Sequence, residues 1–177
     1  MREHIAQDHR YAHSVRVARF AERLAFANGE STFKARMAGM LHDLARLYSS
    51  KRLLEESQSR GLPVDAYARD NPIVLHAPLS AHLAREQFGV SDPAILSAIS
   101  KHTLGAREMS ALDCIVFLAD SLEPGRDFPD RGRLAELAFQ NLGRAMAQTI
   151  KSSFGFLREK GLEPAPQTLE AASTFDP

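Results

Sequence analysis

A chain of 177 residues is long enough to bury a sizeable core within one domain. Its 44% hydrophobic and 25% charged residues count against a disordered or fibrous protein, and 22 basic residues balance 22 acidic ones, leaving no concentrated basic surface for nucleic acid or an anionic membrane. No apolar run approaches the roughly 20 residues that cross a bilayer, and Met1-Arg2-Glu3-His4 lacks the apolar core of a signal peptide. A cytoplasmic location is expected, with neither nucleic acid nor membrane as partner.

Apolar residues recur at helical spacing, without a convincing strand pair, and predict an all-α fold. A first helix is expected over 9–28, stopped by Gly29, with Val17, Phe20 and Leu24 inward and His13 on the same stripe. Ser31 caps a second helix reaching Tyr48, with Phe33, Met37, Met40, Leu41 and Leu44 inward and His42-Asp43 near its C-terminal end. The polar stretch 49–71, with Gly61 and Pro63, reads as a short helix and a loop. Pro72 and Pro78 bracket His76 and put it at a helix start or bend, and that helix runs to Phe88 before Gly89. Asp92-Pro93 opens a helix through Ile95, Ile99 and His102. Ser110 with Asp113 forms a capping box for 111–122, which Pro124-Gly125 stops. A long helix over 132–160 closes a single helical bundle of residues 1–163, and 164–177 is expected to be a loose tail.

The most telling local feature is the pair His42-Asp43. Imidazole and carboxylate together suit iron, manganese, zinc or nickel, whereas a site for magnesium prefers oxygens alone. Taken alone, such a dipeptide is equally a surface hydrogen bond. Its context adds His13 on an apolar helix face and Asp120 at the end of the buried run Val116-Phe117-Leu118-Ala119. A carboxylate there needs a cap, an ion pair or a cation, because an unpaired buried charge is expensive. His76 and His102 lie at helix edges beside small residues, where a structural histidine and a ligand are both open readings. His9 and His82 read as surface residues, His4 as disordered, Met37 and Met40 as core packing. Cys114, the lone cysteine, reads as a buried and inert thiol.

The order His13, His42-Asp43, His76, His102, Asp120 resembles that of the HD-domain phosphohydrolases. The words HRYAHSVRV (9–17), LHDLAR (41–46), NPIVLHAPLSA (71–81), AISKHTLG (98–105) and ADSLEPGRDFP (119–129) resemble one branch closely, the YqeK-like symmetrical diadenosine tetraphosphate hydrolases. The resemblance spans residues 9 to 129 and extends to the closing helix.

It implies an HD-type helical fold and a divalent metal held by His13, His42, Asp43 and Asp120. The metal expected is iron, as one or two ions, with manganese, cobalt or magnesium as alternatives. Asp43 bridges two ions, and His76 and His102 complete the second site; these three form the catalytic set. Arg16, Arg46, His76, Lys101, His102, Thr103, Glu123 and Arg126 contact the nucleotide. The implied reaction uses metal-activated water to split diadenosine tetraphosphate into two ADP, and a homodimer is implied as well. An HD-type nucleotidase or nucleoside triphosphate hydrolase, and a non-catalytic nucleotide sensor, are the rival readings. Three positions depart from the branch: Arg46 stands where lysine is usual, Arg16 where a small residue is common, and Ser100-Lys101 where an arginine-aromatic pair is expected. They bear on substrate preference, since none is a proposed ligand.

Overall fold

Ten helices joined by short turns make up the computed structural model, which describes residues 8–175. Among the described residues there is no strand. His4 lies outside them. The helices are α1 (Asp8–Ala27), α2 (Thr32–Leu41), α3 (Ser50–Ser59), α4 (Ala66–Asp70), then a short 3-10 turn (Pro72–Leu75) running directly into α5 (His76–Phe88). α6 (Pro93–Lys101), α7 (Ala111–Leu122), α8 (Arg131–Gln140), α9 (Leu142–Glu159) and α10 (Pro166–Phe175) follow. None of them is long and apolar enough to cross a membrane.

α7 is the centre of the bundle. Its sequence is apolar on all sides, as a helix surrounded by others must be, and α1, α2, α6, α8 and α9 pack around it. The capping signals act as written. Ser31 accepts a hydrogen bond from the Lys34 amide and Asp92 from the Ala94 amide, and Ser110 and Asp113 bond reciprocally at the start of α7. Against α7, helices α1 and α2 form the tightest pair. Gly39 permits it: a Cβ there would lie 2.9 Å from Ala18 Cα, so any side chain would push backbone against backbone. This approach brings His13 and the end of α2 together.

Four expectations are corrected. The second helix ends at Leu41 rather than Tyr48, because side chains take over its hydrogen bonds. His42 Nδ1 donates to the Gly39 carbonyl at 2.7 Å, the Ser80 hydroxyl accepts the Ala45 amide at 3.0 Å, and residues 42–48 continue as tight turns. Phe33 is 67% exposed rather than inward, since the packed face of α2 carries Ala35, Ala38 and Gly39, and Phe33 lies about 200° around the helix from Ala35. Met37 and Met40 are half-buried, with Met37 against the core.

The closing helix is two helices. Asn141 leaves helical geometry (φ −158°, ψ 101°) and its side chain accepts the Arg144 amide, so it ends α8 and caps α9. The segment expected to be loose instead forms α10. That helix buries Thr168 and Ala171 on the bundle, and the Gln167 amide donates to the Gly105 carbonyl.

Candidate metal centre

Five elements deliver six side chains to one point. α1 carries His13, and the turn after α2 carries His42 and Asp43. His76 is the first residue of α5, His102 follows the last residue of α6, and Asp120 stands two residues before the end of α7. Three of the four histidines thus sit at helix ends, where a ring can turn back toward its own backbone. His42, His76 and His102 each place Nδ1 on the carbonyl three residues earlier, that of Gly39, Ile73 and Ile99. His13 places its Nδ1 3.0 Å from Glu123 Oε1. Carbonyls and carboxylates only accept, so every Nδ1 donates outward and every Nε2 is the atom turned inward.

The Nε2 atoms converge on Asp43. Its Oδ2 faces His13 Nε2 at 3.9 Å and His42 Nε2 at 3.6 Å, and its Oδ1 faces His76 Nε2 at 3.3 Å and His102 Nε2 at 3.9 Å. Asp120 Oδ1 lies 3.0 Å from His13 Nε2 and 3.7 Å from His42 Nε2. One carboxylate therefore serves two pairs of imidazoles, one with each oxygen.

The electrostatics of this cluster call for a cation. His76 Nε2 and His102 Nε2 stand 3.1 Å apart, with one Thr103 hydroxyl close to both at 3.2 and 3.0 Å. His13 Nε2 and His42 Nε2 are both buried, and His42 Nε2 has no hydrogen-bond partner. Burial first, then the charges of His42 and His76, push His102 down to about 3, so it is a neutral, ligand-ready ring. Burial alone would raise the carboxylates. Instead, neighbouring His42 and the bond from His76 hold Asp43 far below the usual range, and the bond from His13 does the same for Asp120. Ionised carboxylates and inward-facing imidazole nitrogens are the chemistry of a metal site, and overlapping sets of these residues could hold a divalent ion.

Guanidiniums ring the cluster. Arg10, which sequence reasoning passed over although it lies within the word HRYAHSVRV, donates to Asp43 Oδ2 at 3.1 Å. Arg126 donates to the Asp120 carbonyl at 2.9 Å and to its Oδ1 at 2.6 Å. Arg46 is half-buried, and burial, then the like charge of Arg10, lowers its pKa. Four other residues expected at the nucleotide divide differently. Thr103 is at the centre. Glu123, 1% exposed, faces away from it and binds three donors: His13 Nδ1, Arg16 Nε and the Gly125 amide. Burial would raise Glu123, but the Arg16 and His13 bonds bring it down to about 2. Arg16 is spent on Glu123, lying across Gly125 where a Cβ would come within 2.5 Å of its Nε. Lys101 turns to the start of α7, bonding Asp113 Oδ2 and the Glu108 carbonyl, both at 2.9 Å. His9 is exposed, and His82, partly exposed, lies 3.5 Å from Glu86. Cys114 is buried, and burial, then Asp113, pushes its thiol up to about 12.

Residues 10–125 match the HD domain, and the chain belongs to that family of metal-dependent phosphohydrolases. Among curated proteins it is similar to the symmetrical bis(5'-nucleosyl)-tetraphosphatase of Bacillus subtilis, 35% identical over 91% of this chain and 86% of that protein. The protein of the same name from Halalkalibacterium halodurans is 33% identical over 92% and 86%. Among solved structures, a predicted HD superfamily hydrolase involved in NAD metabolism from Clostridium acetobutylicum superposes with a TM-score of 0.92 at 32% identity. That match covers 96% of this chain and 89% of the other.

Proposed function

We propose that this protein hydrolyses dinucleoside tetraphosphates symmetrically, diadenosine tetraphosphate giving two ADP. The observation that carries the reading is the pairing of a two-sided His/Asp cluster with three arginines at its edge. A polyphosphate needs both, one to promote attack at phosphorus and one to neutralise its many oxygens. A divalent cation bound by His13, His42, Asp43, Asp120, His76 and His102 supplies Lewis acidity and acidifies water. We assign iron, with manganese, cobalt or magnesium as alternatives, from the resemblance to the HD-domain phosphohydrolases, and the mixed nitrogen and oxygen donor set is compatible with it. The two-sided use of Asp43 favours two ions.

The chain's own residues do the rest. Arg10 and Arg126, paired here with Asp43 and Asp120, turn to phosphoryl oxygens when those carboxylates serve as ligands, and Arg46 adds a third positive charge. Thr103 orients the His76 and His102 rings. Water oxygen bonds to one inner phosphorus, the central P–O bond breaks, and the bridging oxygen leaves with the second ADP while the proton passes to solvent. The similarity to two symmetrical tetraphosphatases supports this choice of substrate.

Product chromatography with metal analysis tests it. ADP is expected as the sole nucleotide product, and Asp43→Ala should lose both metal and turnover. AMP plus ATP, or hydrolysis of mononucleotides alone, would refute symmetrical cleavage. ADP binding without hydrolysis under any divalent metal would make the protein a sensor.

A further inference from the structure

A groove of about 830 Å³ leads away from the centre, starting at Asp120 and Arg126 and running between the 125–130 turn and one face of α9. Its volume is that of a small-molecule site. Arg126 is the one cation in its lining and stands at the end shared with the cluster, while Asp127, Asp130 and Glu159 are carboxylates. Phosphate is therefore welcome at the Arg126 end and repelled elsewhere. The outer part suits a neutral group rich in hydrogen-bond donors.

α9 contributes two further features. Phe156 is 58% exposed on the groove wall, with Lys160 Nζ 5.8 Å from its ring centroid, and an exposed ring is one on which planar bases stack. Beside it, Gly155 lies inside the continuous helix, although glycine is a poor helix former and no packing requires it: a Cβ there would meet nothing within 4 Å. Its missing side chain leaves the groove open instead of admitting another helix.

We propose that this groove is the nucleoside subsite, holding one nucleoside half of the substrate with its base on Phe156 and its phosphates led past Arg126 into the cluster. The assignment rests on the dinucleotide reading above and adds where the base goes.

Calorimetric binding of ADP and of inorganic pyrophosphate to the metal-loaded, full-length protein tests it, with Phe156→Ala and Gly155→Leu beside the wild type. Leucine is the better helix former, so Gly155→Leu should keep its melting temperature or raise it. Both variants should bind ADP about tenfold more weakly, the loss of one stacked base, with pyrophosphate affinity within twofold of wild type. Unchanged ADP affinity overturns the assignment, as does an equal loss for both ligands. A change confined to self-association also overturns it, in favour of a second copy covering the ring. The dinucleotide reading fails separately, on the wild-type products.

Discussion

Glu123 tests how far the centre depends on residues that never touch the metal. Replacing it by alanine removes the acceptor for three donors. Arg16, with a side chain 40% exposed, rehydrates, and the Gly125 amide lies in a surface turn. His13, 6% exposed, has no such recourse and keeps an unsatisfied Nδ1–H. A buried donor left unpaired costs about 1–3 kcal/mol, so the metal-free variant should melt roughly 4–8 °C lower for a loss near 2 kcal/mol. The ring is also freed to turn, and loss of such an orienting carboxylate lowers metal affinity about 10–100-fold. Glu123→Gln keeps an acceptor for His13, and its affinity should fall by only about tenfold. Calorimetric titration of the chelated protein with Mn²⁺ reads the affinity, and thermal melts read the fold. If Glu123→Ala melts lower yet binds Mn²⁺ within twofold of wild type, Glu123 supports the turn and does not orient the ligand.

Gly39→Ala should cost about 2 kcal/mol, because the added Cβ meets Ala18 Cα at 2.9 Å and neither backbone can yield without parting α1 from α2. Circular dichroism melts check the loss, and an unchanged midpoint would mean the helices are not in contact as described. Acid titration of the metal-free protein follows from the carboxylates. Glu123 is lowered from 4.5 to about 2 on folding, and Asp43 and Asp120 are lowered too, so the folded state binds fewer protons than the unfolded one. Their contribution is complete above pH 4.5 and declines as pH falls toward 2. Glu123→Gln should flatten that decline, by at most about 1.4 kcal/mol per pH unit, in urea midpoints measured between pH 5 and 3. Identical slopes would contradict the depressed carboxylate. Cys114 should resist a thiol reagent at pH 8 in the folded protein and react fully in denaturant; fast labelling of native protein would show that the α7 core opens.

The starts of several helices were the best-read part of the fold, because N-capping is local. Ser31, Asp92-Pro93 and the Ser110–Asp113 box are decided by side chains bonding amides two or three residues away. Asn141 shows the limit. The same residue type reads as an interior position or as a cap, and apolar residues on both sides kept helical spacing, so periodicity ran through a break that only the docking of α8 and α9 makes worthwhile. α10 escaped for a similar reason. A short polar segment has little helical tendency alone and gains its order from burial against the bundle.

At the site, the resemblance brought the candidate ligands together in advance. His13, His42, Asp43, His76, His102 and Asp120 do meet in one cluster, as three overlapping groups that could hold a metal. The roles of the surrounding charges were decided by the tertiary structure alone. Lys101 and Arg126 look alike in sequence, yet one locks α6 to Asp113 and the other borders the cluster. Glu123 looks like a nucleotide contact and is the brace of His13. A long charged side chain can reach several partners from one backbone position, and which it takes depends on helices brought together from far along the chain. The family resemblance could name candidate ligands because their order is written along the chain, but the sequence could not say which partners the arginines, lysine and glutamate around them take, because those have many.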